Sequence, residues 1–502
     1  MASLYTLFTD GNLISTTLVF IVVLLCVAYL ANGRRYKYPP GPMRLPLVGS
    51  TPFLNKDLQS DISKLVKKHN SDVIGLQFGP INAVIINSYE KIKETFLGDE
   101  VTDRSANFLP TVIVKGQGLV HASGNLWREQ RRHALTVLRN FGMGKMAAEE
   151  RINNEIAYLK EAIDKQDGRQ FDPFNMLTTT ISNIICAISF GKRYEYDDVE
   201  FQMLIKSLND VANQANFSGL TFVMPSLRHL PGDLFGTKIF VNTLSKISRL
   251  ASGHVEEHKA RYNPSNDDDD FIDAYLTEME RMENKKPRVQ HTFTDSQLTA
   301  VIRDLFFAGT ETTSSTMRWA LALMVKHPDI QQKVQHEIDN VIGSDHIPQM
   351  RDRLILPYTE AVLLEIQRVA SLTSLSLPHT NNETDIKLYS YDVPKNSMVF
   401  ANLYGVHHDP SIWPNPNTFD PRNFISEEGT LRNQEYLIPF SIGKRSCPGE
   451  GLAKMELFLI FVSIMQVYTV LPSDEGYPNL DNIYSNIRTP PPYKIKLQRR
   501  IK

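Results

Sequence analysis

The sequence predicts a mainly α protein with a small β-region, standing behind a single N-terminal transmembrane helix. Three patterns carry this. Residues 145–260 place apolar side chains at helical spacing, broken at Gly168, Gly191, Pro225 and Pro231. A longer helical stretch, 293–326, follows. Strand-like runs occur towards the two ends, at 73–78 and 83–86 around Gly79-Pro80 and again at 393–403.

Composition narrows the function. A 502-residue chain with a formal net charge of −2 lacks the basic excess of a nucleic-acid-binding protein. Its three cysteines, Cys26, Cys186 and Cys447, are too few and too scattered for a disulfide framework, which places the main body in a reducing compartment. Cys26 and Cys186 sit in apolar runs and read as inert. The sequons at Asn216 and Asn382 carry little weight in a cytosolic body.

In chain order, residues 1–12 form a short lumenal N-terminus and 13–31 an uncharged apolar run, long enough as a helix for roughly 28 Å of bilayer. Arg34, Arg35 and Lys37 follow at once, so the positive-inside rule puts the body in the cytosol. A cleaved signal peptide would need a basic leader, and no Lys or Arg precedes Leu13. Residues 32–46 are a basic, proline-rich hinge, and 47–502 the main body. Gly116-Gln-Gly118 lacks the setting of a nucleotide loop. Residues 217–235 are apolar for a connector and read equally as lipid-dipping or as core. The acid run 267–270 reads as a solvated loop.

The long helix has a weak centre, Ala308-Gly-Thr-Glu-Thr-Thr313, unsuited to helix stability. Ala308 and Thr312 share a face there. Ala308 is small enough for a flat cofactor, while Thr312 and Glu311 form an acid–alcohol pair able to carry protons to bound oxygen. The competing reading has Thr312 bonded back to a carbonyl and Glu311 in solvent. His407-His408 on a turn do not converge on a metal.

The decisive stretch is Phe440-Ser-Ile-Gly-Lys-Arg-Ser-Cys-Pro-Gly449. Cys447 precedes an apolar helix whose N-terminus favours a thiolate, a soft metal ligand. Pro448 suits the first helical position, and Gly443 and Gly449 allow close approach to a large flat group. Arg445 can fork onto a carboxylate. The economical reading is haem iron at the sulfur and a haem propionate at the arginine.

This spacing, Phe-x-x-Gly-x-Arg-x-Cys-x-Gly, resembles the haem-binding loop of the cytochrome P450 monooxygenases, and the match extends over nearly the whole chain. The resemblance is nearest to microsomal animal enzymes that oxidise steroids, fatty acids and xenobiotics. It implies the P450 fold, a triangular α prism with a small β-region. Haem b would lie between the long helix and the loop, held by Cys447 as axial ligand with Phe440, Gly443, Gly449, Arg445 and Ala308. Trp127 and Arg131 match the family's propionate-binding Trp-x-x-x-Arg, and His379 would be a further propionate partner. Glu365, Arg368 and Arg422 would form its structural lock. Val120, Phe307, Ala308, Leu377 and Ile487 would line a pocket for a lipophilic substrate, with core packing an even alternative for Val120 and Ile487. Thr312 and Glu311 match its oxygen-activation motif.

The implied activity inserts one atom of O2 into that substrate, with electrons from NADPH through NADPH–cytochrome P450 reductase and with cytochrome b5 as auxiliary donor, at the endoplasmic reticulum membrane. Arg128, Arg132, Arg139 and Lys444 would offer the donor a basic face. Two alternatives stand beside it. A haem–thiolate isomerase or dehydratase would have little use for Glu311-Thr312. A non-enzymatic haem-binding membrane protein would lack an accessible oxygen pocket.

Overall fold

The computed structural model describes residues 17, 19–21, 23, 36–141, 146–212, 221, 224–233, 236–285, 291–381, 383–481 and 487–500. Most of the expected anchor, residues 217–220, 222–223 and 234–235 of the apolar connector, Cys26 and the sequon asparagines lie outside the described residues. Of the anchor, Val19, Phe20, Ile21 and Val23 are described as helical and 48–64% exposed. Among the described residues no helix is long and apolar enough to cross a membrane.

Helix α1 (Leu58–His69) starts at Asp57, whose carboxylate accepts from the Ser60 N–H. Strands β1 (Val73–Phe78) and β2 (Ile81–Ile86) cover the two expected strand runs and pair as an antiparallel hairpin, turning at Gly79 with φ +55°. Then come α2 (Tyr89–Leu97), β3 (Asp103–Arg104), α3 (Leu109–Ile113) and α4 (Gly124–Asn140). The helical middle comprises α5 (Met146–Asp164), α6 (Phe174–Phe190), α7 (Val199–Ala212), α8 (Thr237–Arg261), α9 (Phe271–Lys285), α10 (Asp295–Lys326), α11 (Pro328–Val341) and α12 (Pro357–Ala370).

The last third holds β4 (His379–Thr380), β5 (Ile386–Leu388), β6 (Tyr391–Val393), β7 (Met398–Ala401), α13 (Leu403–His407), α14 (Glu450–Val467), β8 (Tyr468–Pro472) and β9 (Ile495–Arg499). The strand expected over 393–403 is divided. A turn closes where the Ser397 N–H meets the Pro394 carbonyl at 3.2 Å, and Asn402 caps α13 through the Gly405 N–H.

The main sheet has the order β1-β2-β7-β4-β3, with β2 and β7 parallel and the remaining pairs antiparallel. Its far edge matters most for function, because the β3–β4 register sets Arg104 directly opposite His379. On the helical side α10 is the hub, packed by α6, α8, α12 and α14. Thr294 caps it, accepting from Gln297 N–H. Helix α14 has apolar side chains on every side, from Leu452 to Met465, and is accordingly buried all round.

A fully buried pair joins α12 to the irregular chain before the cysteine loop. Arg368 Nε and Nη2 donate to Glu365, each at 2.7 Å. The guanidinium also donates to the carbonyls of His407, Pro416 and Thr418 at 2.7–2.9 Å. Glu365 in turn accepts from Asp420 N at 2.9 Å and Asn423 Nδ2 at 3.1 Å.

Arg422, expected as the third member, is not one. It is 83% exposed and paired with its own neighbour Asp420. Its turn directs Asn423 inward instead, so an amide and a backbone N–H complete the lock. His407, which the sequence left without a role, adds a second tie: Nδ1 meets Ser371 Oγ at 3.0 Å and Nε2 accepts from Ile438 N at 3.0 Å.

Removing one partner of a fully buried, multiply bonded pair leaves a bare charge in the core. Arg368→Leu should therefore cost about 3–5 kcal/mol, while Arg422→Ala should stay within about 0.5 kcal/mol. Urea unfolding of the two variants checks this, and equal losses would refute the division of roles.

Candidate functional site

The cysteine loop is shaped by its own backbone. Cys447 N donates to Phe440 O at 2.9 Å and Ser446 N to Gly443 O at 3.0 Å. Gly443 sits at φ +84°, where a Cβ would run into the Phe96 carbonyl, so the loop can lie on α2 only with glycine there. Gly449 is the N-cap of α14. The Cys447 thiol remains exposed, unlike the buried Cys186. The expectation that the helix N-terminus lowers its pKa is met in direction but outweighed. Partial desolvation of the sulfur by the protein around it pushes the thiol up, while the N–H groups of Gly449 and Glu450 and the Arg131 charge pull it down. A metal cation at the sulfur would reverse that balance.

Cations gather around the loop. The Arg445 guanidinium stacks 3.8 Å from the Trp127 ring centroid, and donates through Nε to Thr102 O at 2.7 Å and through Nη2 to Ala122 O at 2.6 Å. Arg131 donates to Ser446 O at 2.7 Å. Arg104, absent from the sequence-derived set, donates to Val120 O at 3.1 Å and Leu377 O at 3.4 Å. Only its place opposite His379 reveals it.

His379 Nδ1 donates to Val101 O at 2.8 Å, which leaves Nε2 for another partner. Burial, then repulsion from Arg104, pushes Arg445 down to about 8, with the nearby Asp103 opposing; burial, then repulsion from Arg131, pushes Arg104 down to about 9. Burial, with Arg104 next, holds His379 well below the usual histidine range.

Two donors in the cluster, Trp127 Nε1 and Arg445 Nη1, are buried without a partner. Buried donors of this kind call for an acceptor. A set of converging guanidiniums with unused N–H groups, beside an uncovered thiol, fits one flat group carrying carboxylates at its edge and a soft metal at its centre. Haem satisfies both demands.

Helix α10 carries the second group of expected site residues. Ala308 is exposed midway along this otherwise buried helix. Thr312 Oγ1 donates to Ala308 O at 2.7 Å, so its hydroxyl is bonded back to the helix. Glu311, in contrast, is buried rather than solvated. Ser315 Oγ donates to its Oε1 at 3.1 Å, and its Oε2 has no partner. Burial pushes its pKa up to about 7, against the pull of Ser315 and Arg318. Such a carboxyl can hold or release a proton at neutral pH.

The expected pocket residues fall into three groups. Val120 and Leu377 bracket Arg104 through their carbonyls, and Val120 N donates to the buried Asp304 at 3.0 Å. Phe307 and Ala308 lie on α10, where Phe307 meets the Phe240 ring of α8 at 6.2 Å. Ile487 bridges to Thr373 as an isolated β-pair and is partly exposed. No pattern in the sequence pointed to Phe240. Among the expected docking cations, Arg128, Arg132 and Arg139 are exposed on α4, and Lys444 pairs with Asp99.

The chain matches known proteins over most of its length. The cytochrome P450 family model matches residues 39–497. Cytochrome P450 2J2 of Homo sapiens is 40% identical over 94% of this chain and 92% of its own length. Cytochrome P450 2C3 of Oryctolagus cuniculus is 39% identical over 94% and 96%, and cytochrome P450 2C21 of Canis lupus familiaris 37% identical over 95% and 99%.

Trp127→Phe keeps the ring under Arg445 and deletes one unpartnered N–H. Loss of one hydrogen bond, about 1.4 kcal/mol, should make haem leave roughly tenfold faster. Transfer to an acceptor globin measures this, and an unchanged rate would remove Trp127 from the site.

Proposed function

This chain belongs to the cytochrome P450 family, and from that premise we propose how its own residues serve the haem-dependent monooxygenase activity. The chain uses haem b, O2 and electrons derived from NADPH. Cys447 is proposed as the axial ligand, with Phe440, Gly443, Gly449 and Ala308 forming the cradle. Arg104, Arg131, Arg445, Trp127 and His379 would hold the two propionates. The carrying observation is the pair of buried unpartnered donors, Trp127 Nε1 and Arg445 Nη1, beside an uncovered thiol.

Bound haem supplies O2 activation, one atom going to the substrate and the other to water. The protein's part is positioning and proton supply. Thr312 must turn from the Ala308 carbonyl to donate outward, and Glu311, half protonated near neutrality, can restore its proton. Val120, Phe307, Leu377 and Ile487 would form an apolar wall that excludes water and selects a lipophilic substrate. Steroids, fatty acids and foreign compounds are the classes this wall suits.

Residues 13–31 are proposed as a single-pass anchor in the endoplasmic reticulum membrane, with 1–12 lumenal, 32–46 a hinge and 47–502 cytosolic. The exposed Val19, Phe20, Ile21 and Val23 support this. The exposed Arg128, Arg132 and Arg139 would meet an acidic donor protein, NADPH–cytochrome P450 reductase or cytochrome b5.

Turnover of a lipophile that needs both NADPH and the reductase is the expected result, and conversion without them would reject the monooxygenase reading. Cys447→Ser should abolish the thiolate signature of the reduced carbonyl spectrum. Thr312→Ala should lower product and raise peroxide per NADPH, by roughly 10-fold or more in their ratio. Wild-type coupling in that variant would remove Thr312 from proton delivery.

A further inference from the structure

Glu311, Ser315 and Arg318 stand four and three residues apart on α10, so their side chains follow one another along one face. All three are buried, with 6%, 0% and 0% of their surface exposed. The Ser315 hydroxyl donates to Oε1 of Glu311 at 3.1 Å, while Oε2 is buried without a partner. Neighbouring hydroxyls behave differently. Those of Thr312, Ser314 and Thr316 close on their own helix, donating to the carbonyls of Ala308, Glu311 and Thr312 at 2.7, 3.3 and 2.8 Å. Ser315 turns instead to a side chain, and it holds one end of that carboxyl only.

A donor on a carboxyl oxygen bonds the ionised form more strongly than the neutral acid. Ser315 therefore favours release of the Glu311 proton, against burial, which favours its retention. Arg318 pulls the same way, and among the described residues it is the one charged group that acts on Glu311. Its guanidinium donates to Pro490 O at 2.8 Å and lies 5.0 Å from the Phe174 ring centroid of α6. Helix α6 itself contains no acid, lysine, arginine or histidine. Elsewhere around α10, Glu365 and Arg368 of α12 bond to each other, and His254 of α8 bonds to Tyr194 and Glu257. Glu456 of α14 is buried and keeps its proton at neutral pH.

We propose that Ser315 is a positioning residue for proton supply: it pins Oε1 of Glu311, so that the acid exchanges its proton at the free Oε2, and it keeps this buried acid able to let the proton go. The proton leaves Oε2 for the Thr312 hydroxyl, and solvent returns one to the carboxylate. Ser315 gives no proton of its own. The role in turnover rests on the monooxygenase reading, whereas the bond from Ser315 to Glu311 does not.

The test uses the full-length holoenzyme. Infrared titration should show a protonated-carboxyl band that fades around pH 7 in the wild type, and its loss in Glu311→Gln identifies it. In Ser315→Ala the midpoint should rise by roughly one pH unit, a tenfold gain in proton affinity. Product formed per NADPH should decline in the wild type as the acid empties, and in Ser315→Ala this decline should move up in pH together with the band. Ser315→Thr, which retains the hydroxyl, should keep both midpoints.

The melting temperature gives a readout apart from turnover. The folded protein holds a proton that the unfolded chain releases around 4.5, so wild-type stability should decline from there up to about 7. In Ser315→Ala the decline should continue to higher pH. A band midpoint unmoved in Ser315→Ala overturns the proposal, and so does a midpoint that moves while the pH profile of product per NADPH stays where it was. A wild type with no NADPH-dependent product, but whose band still shifts in Ser315→Ala, would sink the monooxygenase reading and leave the bond to Glu311 standing.

Discussion

The stacking of Arg445 between the Trp127 ring and two backbone carbonyls is the contact on which the site depends. It ties the cysteine loop to α4, to the chain before β3 and to the loop that carries Val120. It also brings a cation close to Arg104 and Arg131 in a place where burial already disfavours charge. Concentrated buried charge is expensive unless an anion answers it. The fold bears that cost locally because the same guanidiniums satisfy carbonyls of otherwise irregular chain. Their remaining N–H groups are what a carboxylated cofactor would use.

Helix α10 shows the opposite compromise. Its ends pack as ordinary core, while its centre gives up helix propensity for Gly309 and a run of hydroxyl residues. Gly309 admits the Ile185 side chain of α6, where a Cβ would collide. Thr312 compensates its own hydroxyl on Ala308 O, so the face that these two residues share is small and internally satisfied. Long-range packing by α6, α8, α12 and α14 makes such a weak centre tolerable.

The sheet and the α12 lock contribute position rather than chemistry. Register between β3 and β4 decides which arginine faces His379. Arg368 gathers three carbonyls from chain that has almost no regular structure of its own, and His407 reaches Ile438 just ahead of the loop. Irregular backbone can be rigid when its carbonyls are claimed by a buried guanidinium. The cysteine loop inherits its rigidity from these ties.

What the sequence by itself determined is what short range dictates. The thiol with its flanking glycines lies within ten residues, Ala308 and Thr312 within one helical turn, and the hairpin at Gly79 within two strands; local sterics and periodicity suffice for each. Tertiary structure alone decided the rest. Arg104 joined the cations by strand pairing with a distant segment, Asn423 displaced Arg422 from the lock because a short turn points one side chain in and the other out, and Glu311 proved buried where a solvated alternative stood open. The reason is that burial and convergence depend on contacts between segments far apart in the chain, and a carboxylate or guanidinium reads the same in sequence whether water or the core will surround it.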